Sequence, residues 1–227
     1  MLSKIGKTGG TMSKTDQASQ QLQRMIEHGD LQPGSMVSES KLVEMTGLGR
    51  TPIREAIQRL AASRMIRVHP SKGLEIPAIS IEDQLSALEL RRAVEVLAVE
   101  LACMRADGKQ RGMMRDLAVS LNVPFELRDY SETVRQTHTM IIEAARNAYL
   151  NAAILPLQSM SRRFWIMHVS DAPQEIGRGA TLHQRILLAI AEGNIDVARK
   201  AALALNDYLV DFALAVIARR STRTSGT

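Results

Sequence analysis

The chain has 227 residues, of which 45% are hydrophobic and 23% charged, with a formal charge of +5. That balance supports one large or two modest domains and excludes a wholly disordered or fibrous chain. The single cysteine, Cys103, excludes an intrachain disulfide framework and a cysteine-rich zinc module.

Aromatic residues are only 3% of the chain, so Ala, Leu, Ile and Met must fill the core. This is a helical vocabulary, and it argues against a surface that stacks single-stranded bases. Residues 1–14 are polar and are expected to form a disordered tail. No run approaches the ~20 apolar residues of a membrane helix, and no apolar signal core opens the chain. A membrane role is therefore not expected. The cysteine usage agrees with a reducing, cytoplasmic compartment. Charge is uneven. Residues 1–77 carry eleven basic against seven acidic side chains, whereas 78–218 carry fifteen against seventeen. A basic head on a near-neutral body points to two jobs on two domains.

Residues 16–28 read as a first helix, with Leu22, Met25 and Ile26 as its apolar stripe. Pro33 and Gly34 turn the chain. Ser38 caps a second helix that points Leu42, Val43 and Met45 inward, and Gly47 ends it. Thr51 is the expected cap of a third helix, with Pro52 at its first position. Ile53, Ala56, Ile57 and Leu60 then repeat at helical spacing. Residues 65–69 and 74–76 read as two short strands around a turn at Pro70, Ser71, Lys72 and Gly73. Helix, helix, helix, hairpin is the order of a winged helix-turn-helix over residues 15–77.

In that setting Arg50 and Arg54 lie four apart near the start of the third helix. Their fork geometry suits guanine edges or phosphates, and Lys72 stands at the wing tip. A linker follows at 77–80, where Ser80 and Asp83 form a capping pattern. Six helices are expected after it, over 81–105, 111–121, 126–146, 149–168, 181–191 and 194–219. Asn147 is a plausible cap between two of them. The predicted fold is thus mainly α, with an all-α bundle over 78–220 and a second tail over 221–227. Cys103, within the first bundle helix, reads as a core residue.

The stretch from Gly29 to Gly73 resembles the N-terminal domain of GntR-type bacterial transcription regulators. The Arg-Thr-Pro-Ile-Arg-Glu-Ala run beginning at Arg50 carries most of that resemblance. The remainder is similar to the FadR-like branch with its effector-binding FCD domain. Its marks are Glu89, Leu90, Arg91 and Glu95, then His138 with Asn147, then His183, Gly193 and Asn194. The resemblance implies a homodimer that binds an inverted repeat in double-stranded DNA through Arg50, Thr51, Arg54, Lys72 and Gly73. It further implies a repressor released by a small organic acid. Three positions depart from the family pattern. Gly49 stands where Ser or Thr is usual, and Ser40 where some members carry a DNA-contacting Arg. Arg64 replaces a usual Gly, so either it adopts a left-handed backbone or the turn differs.

The same resemblance implies a divalent metal held by one Asp and three His. Here His138 and His183 match, but Val134 and Leu205 stand at the other two positions. Zinc needs at least three protein ligands, so His138 and His183 make an incomplete metal site and a metal cofactor is disfavoured. The two histidines can instead hydrogen-bond or charge-pair with an anionic effector, or be satisfied core residues. Arg91 can clamp a carboxylate, pair with Glu95, or do both. Two other functions compete with the ligand-released repressor. One is a DNA-binding dimer with no effector. The other is an enzyme using the histidines, which lacks any nucleophile motif or phosphate loop.

Overall fold

The computed structural model describes residues 12–224, in two compact units that meet in sequence between Ala78 and Ile79. The expected tails at 1–11 and 225–227 lie outside the described residues. Ser13 already belongs to a helix, since its side chain accepts from Asp16 N at 3.0 Å as the N-cap of α1 (Lys14–Glu27).

The first unit continues with β1 (Met36–Val37), α2 (Glu39–Thr46), α3 (Arg50–Ala62), β2 (Arg67–His69) and β3 (Gly73–Glu75). The strands form an antiparallel sheet in the order β1-β3-β2, with Val37 opposite Leu74 and His69 opposite Gly73. β1 escaped the sequence pattern because two residues carry no readable period. The core gathers Leu22, Ile26, Leu42, Ile53, Ile57, Leu60, Ile66 and Leu74. Met25 and Val43 are partly buried, and Met45 is exposed rather than inward. α2 has only two turns, so the arc facing the core is narrow and Leu42 alone fills it.

Two local details differ from the expected capping. α3 starts at Arg50 with Gly49 as N-cap, so Thr51 lies inside the helix and no side chain caps it. Pro52 is then the third helical residue, still in the turn whose N–H groups have no intrahelical partner. Gly47 ends α2 in the left-handed conformation at φ 68°. Arg64, at φ 58°, adopts the left-handed backbone that its glycine-like position demands.

The second unit is a bundle of α4 (Ile81–Arg105), α5 (Gly108–Ser120), α6 (Leu127–Ala145), α7 (Ala148–His168), α8 (Ala172–Glu192) and α9 (Ile195–Thr224). Ser80 and Asp83 form a reciprocal capping box at the start of α4, and Asp107 with Gln110 does the same for α5. Asn147 caps α7 through both Tyr149 N and Leu150 N. α4 packs against α6, α7, α8 and α9 and so forms the centre of the bundle. Cys103 is buried on it, and burial pushes its thiol pKa up.

α8 begins nine residues before the predicted start at 181. Asp171 caps it, Pro173 falls where a missing N–H costs nothing, and Gly177 and Gly179 had hidden its periodicity. α9 runs to Thr224 through the segment from 221 expected to be a tail, because no glycine or proline interrupts it before Gly226. Contrary to the sequence expectation, residues 195–219 of α9 are long and apolar enough to cross a membrane; half of the apolar stretch is buried in the bundle.

Candidate nucleic-acid interface and bundle cavity

The first candidate surface is built by the α2-turn-α3 unit. Burial of Ile53, Ala56, Ile57 and Leu60 fixes the rotation of α3 and leaves Arg50, Thr51 and Arg54 exposed at its N-terminal end. Arg54 is not a free side chain. Its Nε lies 2.9 Å from both carboxylate oxygens of Glu39, the first residue of α2. That hydrogen bond and charge hold the Arg54 pKa above its ordinary value and aim the guanidinium. The sequence pattern did not find this pair, because its members are fifteen residues apart.

The β2–β3 turn carries Lys72, which is exposed, and Gly73. Gly73 has φ 102°, and a Cβ there would stand 3.2 Å from the carbonyl oxygen of Val37 on β1. Its glycine identity is thus set by the backbone of the wing. Glu75 on β3 accepts from Arg67 at 3.1 Å and meets His69 Nε2 at 2.5 Å, and these bonds depress its carboxyl pKa.

The second candidate site is a cavity of about 40 Å³ lined by residues of α4, α6, α7, α8 and α9. Room on that scale holds on the order of three waters. Arg91, Tyr130, His138, Ser161, Arg162 and His183 line it, beside Val134, Trp165, Leu205 and Leu209. All three predicted effector residues, Arg91, His138 and His183, therefore meet in one place. Arg162, Tyr130 and Trp165 were missed. The signal for Arg162 was a pair of arginines, Arg162 and Arg163, inside an otherwise apolar helix; both are buried.

The hydrogen bonds define the protonation of each group. Arg91 donates through Nε and Nη2 to Glu95 Oε1 at 3.1 and 2.8 Å, and Gln158 Nε2 donates to the same oxygen at 2.9 Å. The ion-pair role of Arg91 and its place in the cavity wall thus coexist. Arg162 Nη1 donates to His138 Nδ1 at 3.2 Å, so the hydrogen of neutral His138 sits on Nε2, which has no hydrogen-bond partner. His183 Nδ1 donates to Gly179 O at 2.7 Å, which leaves Nε2 as an acceptor. Tyr130 Oη is 3.4 Å from the same Nδ1.

Burial and the nearby arginines push the His138 pKa well below its usual value, and burial, chiefly, pushes His183 down to about 4. Both imidazoles are neutral at pH 7. The expectation that they charge-pair with an anion is therefore corrected: they offer one N–H donor and one lone pair, and the positive charge comes from the arginines.

The same geometry tests the implied divalent metal. His138 has no lone pair to give, because Arg162 occupies Nδ1 and Nε2 carries the hydrogen. Val134 and Leu205 line the cavity as hydrocarbon. Among the described residues no group of three or more His, Cys, Asp or Glu could hold an ion. Two buried guanidinium groups add positive charge where a cation would sit. The residues do not fit a metal.

Comparisons with known proteins agree with the fold. Residues 14–76 match the family of bacterial regulatory proteins, gntR family, and residues 86–207 match the FCD domain. The uncharacterized HTH-type transcriptional regulator YdhC of Bacillus subtilis (strain 168) is 24% identical over 191 residues, covering 81% of this chain and 84% of its own. The HTH-type transcriptional repressor GlaR of Escherichia coli (strain K12) is 25% identical, covering 74% of this chain and 81% of its own. The solved structure of E. coli McbR/YncC superimposes with a TM-score of 0.72 at 18% identity, covering 90% of this chain and 99% of that one. A winged head with exposed arginines, a helical FCD bundle and these matches have one reading: the chain is a DNA-binding transcriptional regulator, not an enzyme, and belongs to the GntR family of bacterial regulatory proteins with an FCD domain.

Proposed function

We propose that this regulator is a cytoplasmic homodimeric repressor that binds an inverted repeat in double-stranded DNA and is released by a small carboxylate. The observation that carries the reading is the bundle cavity, where the buried guanidinium groups of Arg91 and Arg162 stand beside His138 and His183. A largely apolar cavity with a few convergent polar groups is the usual form of a small-ligand site, and guanidinium donors among them suit a carboxylate.

The head supplies recognition. Arg50, Thr51 and Arg54 at the start of α3 would contact base edges and phosphates, and Lys72 with the Gly73 backbone would contact DNA from the wing. Phosphate contacts give much of the affinity, and base contacts choose the sequence. Dimerisation is supported by a stripe on α4. Leu90, Leu97 and Met104 repeat every seven residues and are 53%, 42% and 60% exposed. That period is the seam of a helix meeting another helix. Two relatives are named as repressors, GlaR and the probable D-xylose utilization operon transcriptional repressor of Paenarthrobacter nicotinovorans. A ligand switches such a dimer only by binding its DNA-competent and released forms unequally.

The test begins with selection of double-stranded DNA from a random pool, with Arg54→Ala as the control. An enriched inverted repeat, lost in the control, is the expected result. Retention with no enriched motif would overturn sequence-specific binding by this head. Titration of small acids against the selected site then tests release, and unchanged DNA affinity across the acids would overturn it.

A further inference from the structure

Resting on the reading of the cavity as an effector site, we propose that it takes a short 2-hydroxy monocarboxylate directly, with no divalent cation.

Arg91 spends one edge of its fork, Nε and Nη2, on Glu95, and the residue also lines the cavity. The Nε2–H of His138 is buried and has no partner. Arg162, bound to the opposite nitrogen of that ring, fixes the tautomer and brings a second positive charge. A carboxylate placed there accepts from imidazole and guanidinium together. It supplies the acceptor that His138 lacks, beside guanidinium groups that can donate to it.

The other end of the cavity has the opposite need. His183 is held by Gly179 O with its hydrogen on Nδ1, so Nε2 can only accept. A plain carboxylate offers it nothing. The ligand must carry a hydrogen donor, and an ammonium group is disfavoured by the two guanidinium charges. A hydroxyl remains. The two imidazole centroids are 5.5 Å apart, so the carboxylate and hydroxyl must be close neighbours on the carbon chain. Tyr130 Oη stands beside His183, and its hydrogen is free for either ligand oxygen because the ring nitrogen near it is already a donor. Beyond Arg91 and Arg162 the lining brings no further cation for a second carboxylate, its other polar groups being Ser131, Ser161, Tyr130, Tyr208 and the two neutral imidazoles. The small volume suits a short chain.

Trp165, the only tryptophan, lines this cavity and reports on it by fluorescence. Protein dialysed against EDTA is titrated with glycolate and lactate, with acetate and propionate as the counterparts lacking the hydroxyl, and with malonate. The series is repeated with added zinc. The expected result is a saturable Trp165 response to the hydroxy acids in EDTA, unchanged by zinc, and at least tenfold weaker for acetate, propionate and malonate. His183→Leu should abolish the lactate-over-propionate preference, with thermal melting confirming that the variant folds. Arg162→Gln should weaken all acids together. A response that requires zinc would overturn the cation-free assignment but keep the effector reading. Equal affinity for lactate and propionate would overturn the hydroxyl assignment. No response to any acid, with or without zinc, would overturn the effector reading itself.

Discussion

Gly179 lies on α8 where a Cβ would stand 2.2 Å from Tyr130 Oη and 3.2 Å from its Cζ. Replacing it with alanine sets two effects against each other. Alanine within a helix is favoured over glycine by about 1 kcal/mol. The added carbon, however, must push the Tyr130 ring aside by roughly 1 Å to reach ordinary contact distance. Tyr130 is 3% exposed and wedged against Phe125, Trp165 and His183, with ring centroids 6.0, 5.6 and 6.3 Å away. Overpacking of such a site costs about 1–3 kcal/mol, so Gly179→Ala should be neutral to destabilising by about 2 kcal/mol. Tyr130→Phe removes the clashing oxygen, whose contact with His183 is a long 3.4 Å, so alone it should cost under about 1 kcal/mol. The double variant should then recover the helical gain. The expected coupling is about 1–3 kcal/mol, read from urea midpoints or from Tm, where each kcal/mol moves a unit of this size by about 2–4 °C. Gly179→Ala raising Tm by itself, or strict additivity of the two changes, would refute the packing argument.

Both cavity histidines have pKa values depressed below 6.5 in the folded state, so the unfolded chain binds more protons below that pH. Stability should be fully present above pH 6.5 and fall as pH drops towards about 4; His183 alone contributes on the order of 3 kcal/mol, and a flat urea midpoint from pH 7.5 to 4.5 would contradict this. Arg64→Gly relieves a left-handed arginine at φ 58° and should stabilise the head by up to about 1 kcal/mol, which a lower melting temperature would disprove. Glu39→Gln releases Arg54 from its aiming partner. It should shrink the ratio of selected-site to random-DNA affinity while non-specific binding holds or rises, and an unchanged ratio on a gel-shift titration would show that Arg54 needs no such guide.

Much of the architecture could be read along the chain because its signals are local. Capping serines at 38 and 80, Gly47 and Gly193 as left-handed helix ends, and Asn147 as an N-cap each act within a few residues. The three predicted effector residues also proved to share one cavity, since His138 follows the same helical face as Val134 and Ile141. The extended start of α8 was hidden because its Gly177 and Gly179 lower helix propensity, and only packing against Tyr130 explains why Gly179 is there.

What only the tertiary structure decided is the charge of the site and the state of its protons. Whether an imidazole is a donor, an acceptor or a cation depends on what lies within about 3 Å of each nitrogen, and those partners come from distant segments. Arg162 is 24 residues from His138, yet their contact fixes one tautomer and removes the lone pair that a metal would need. Glu39 is fifteen residues from Arg54, yet it aims that guanidinium. Periodicity along a chain tells which face a residue is on, and the contacts that set its chemistry form only when the faces meet.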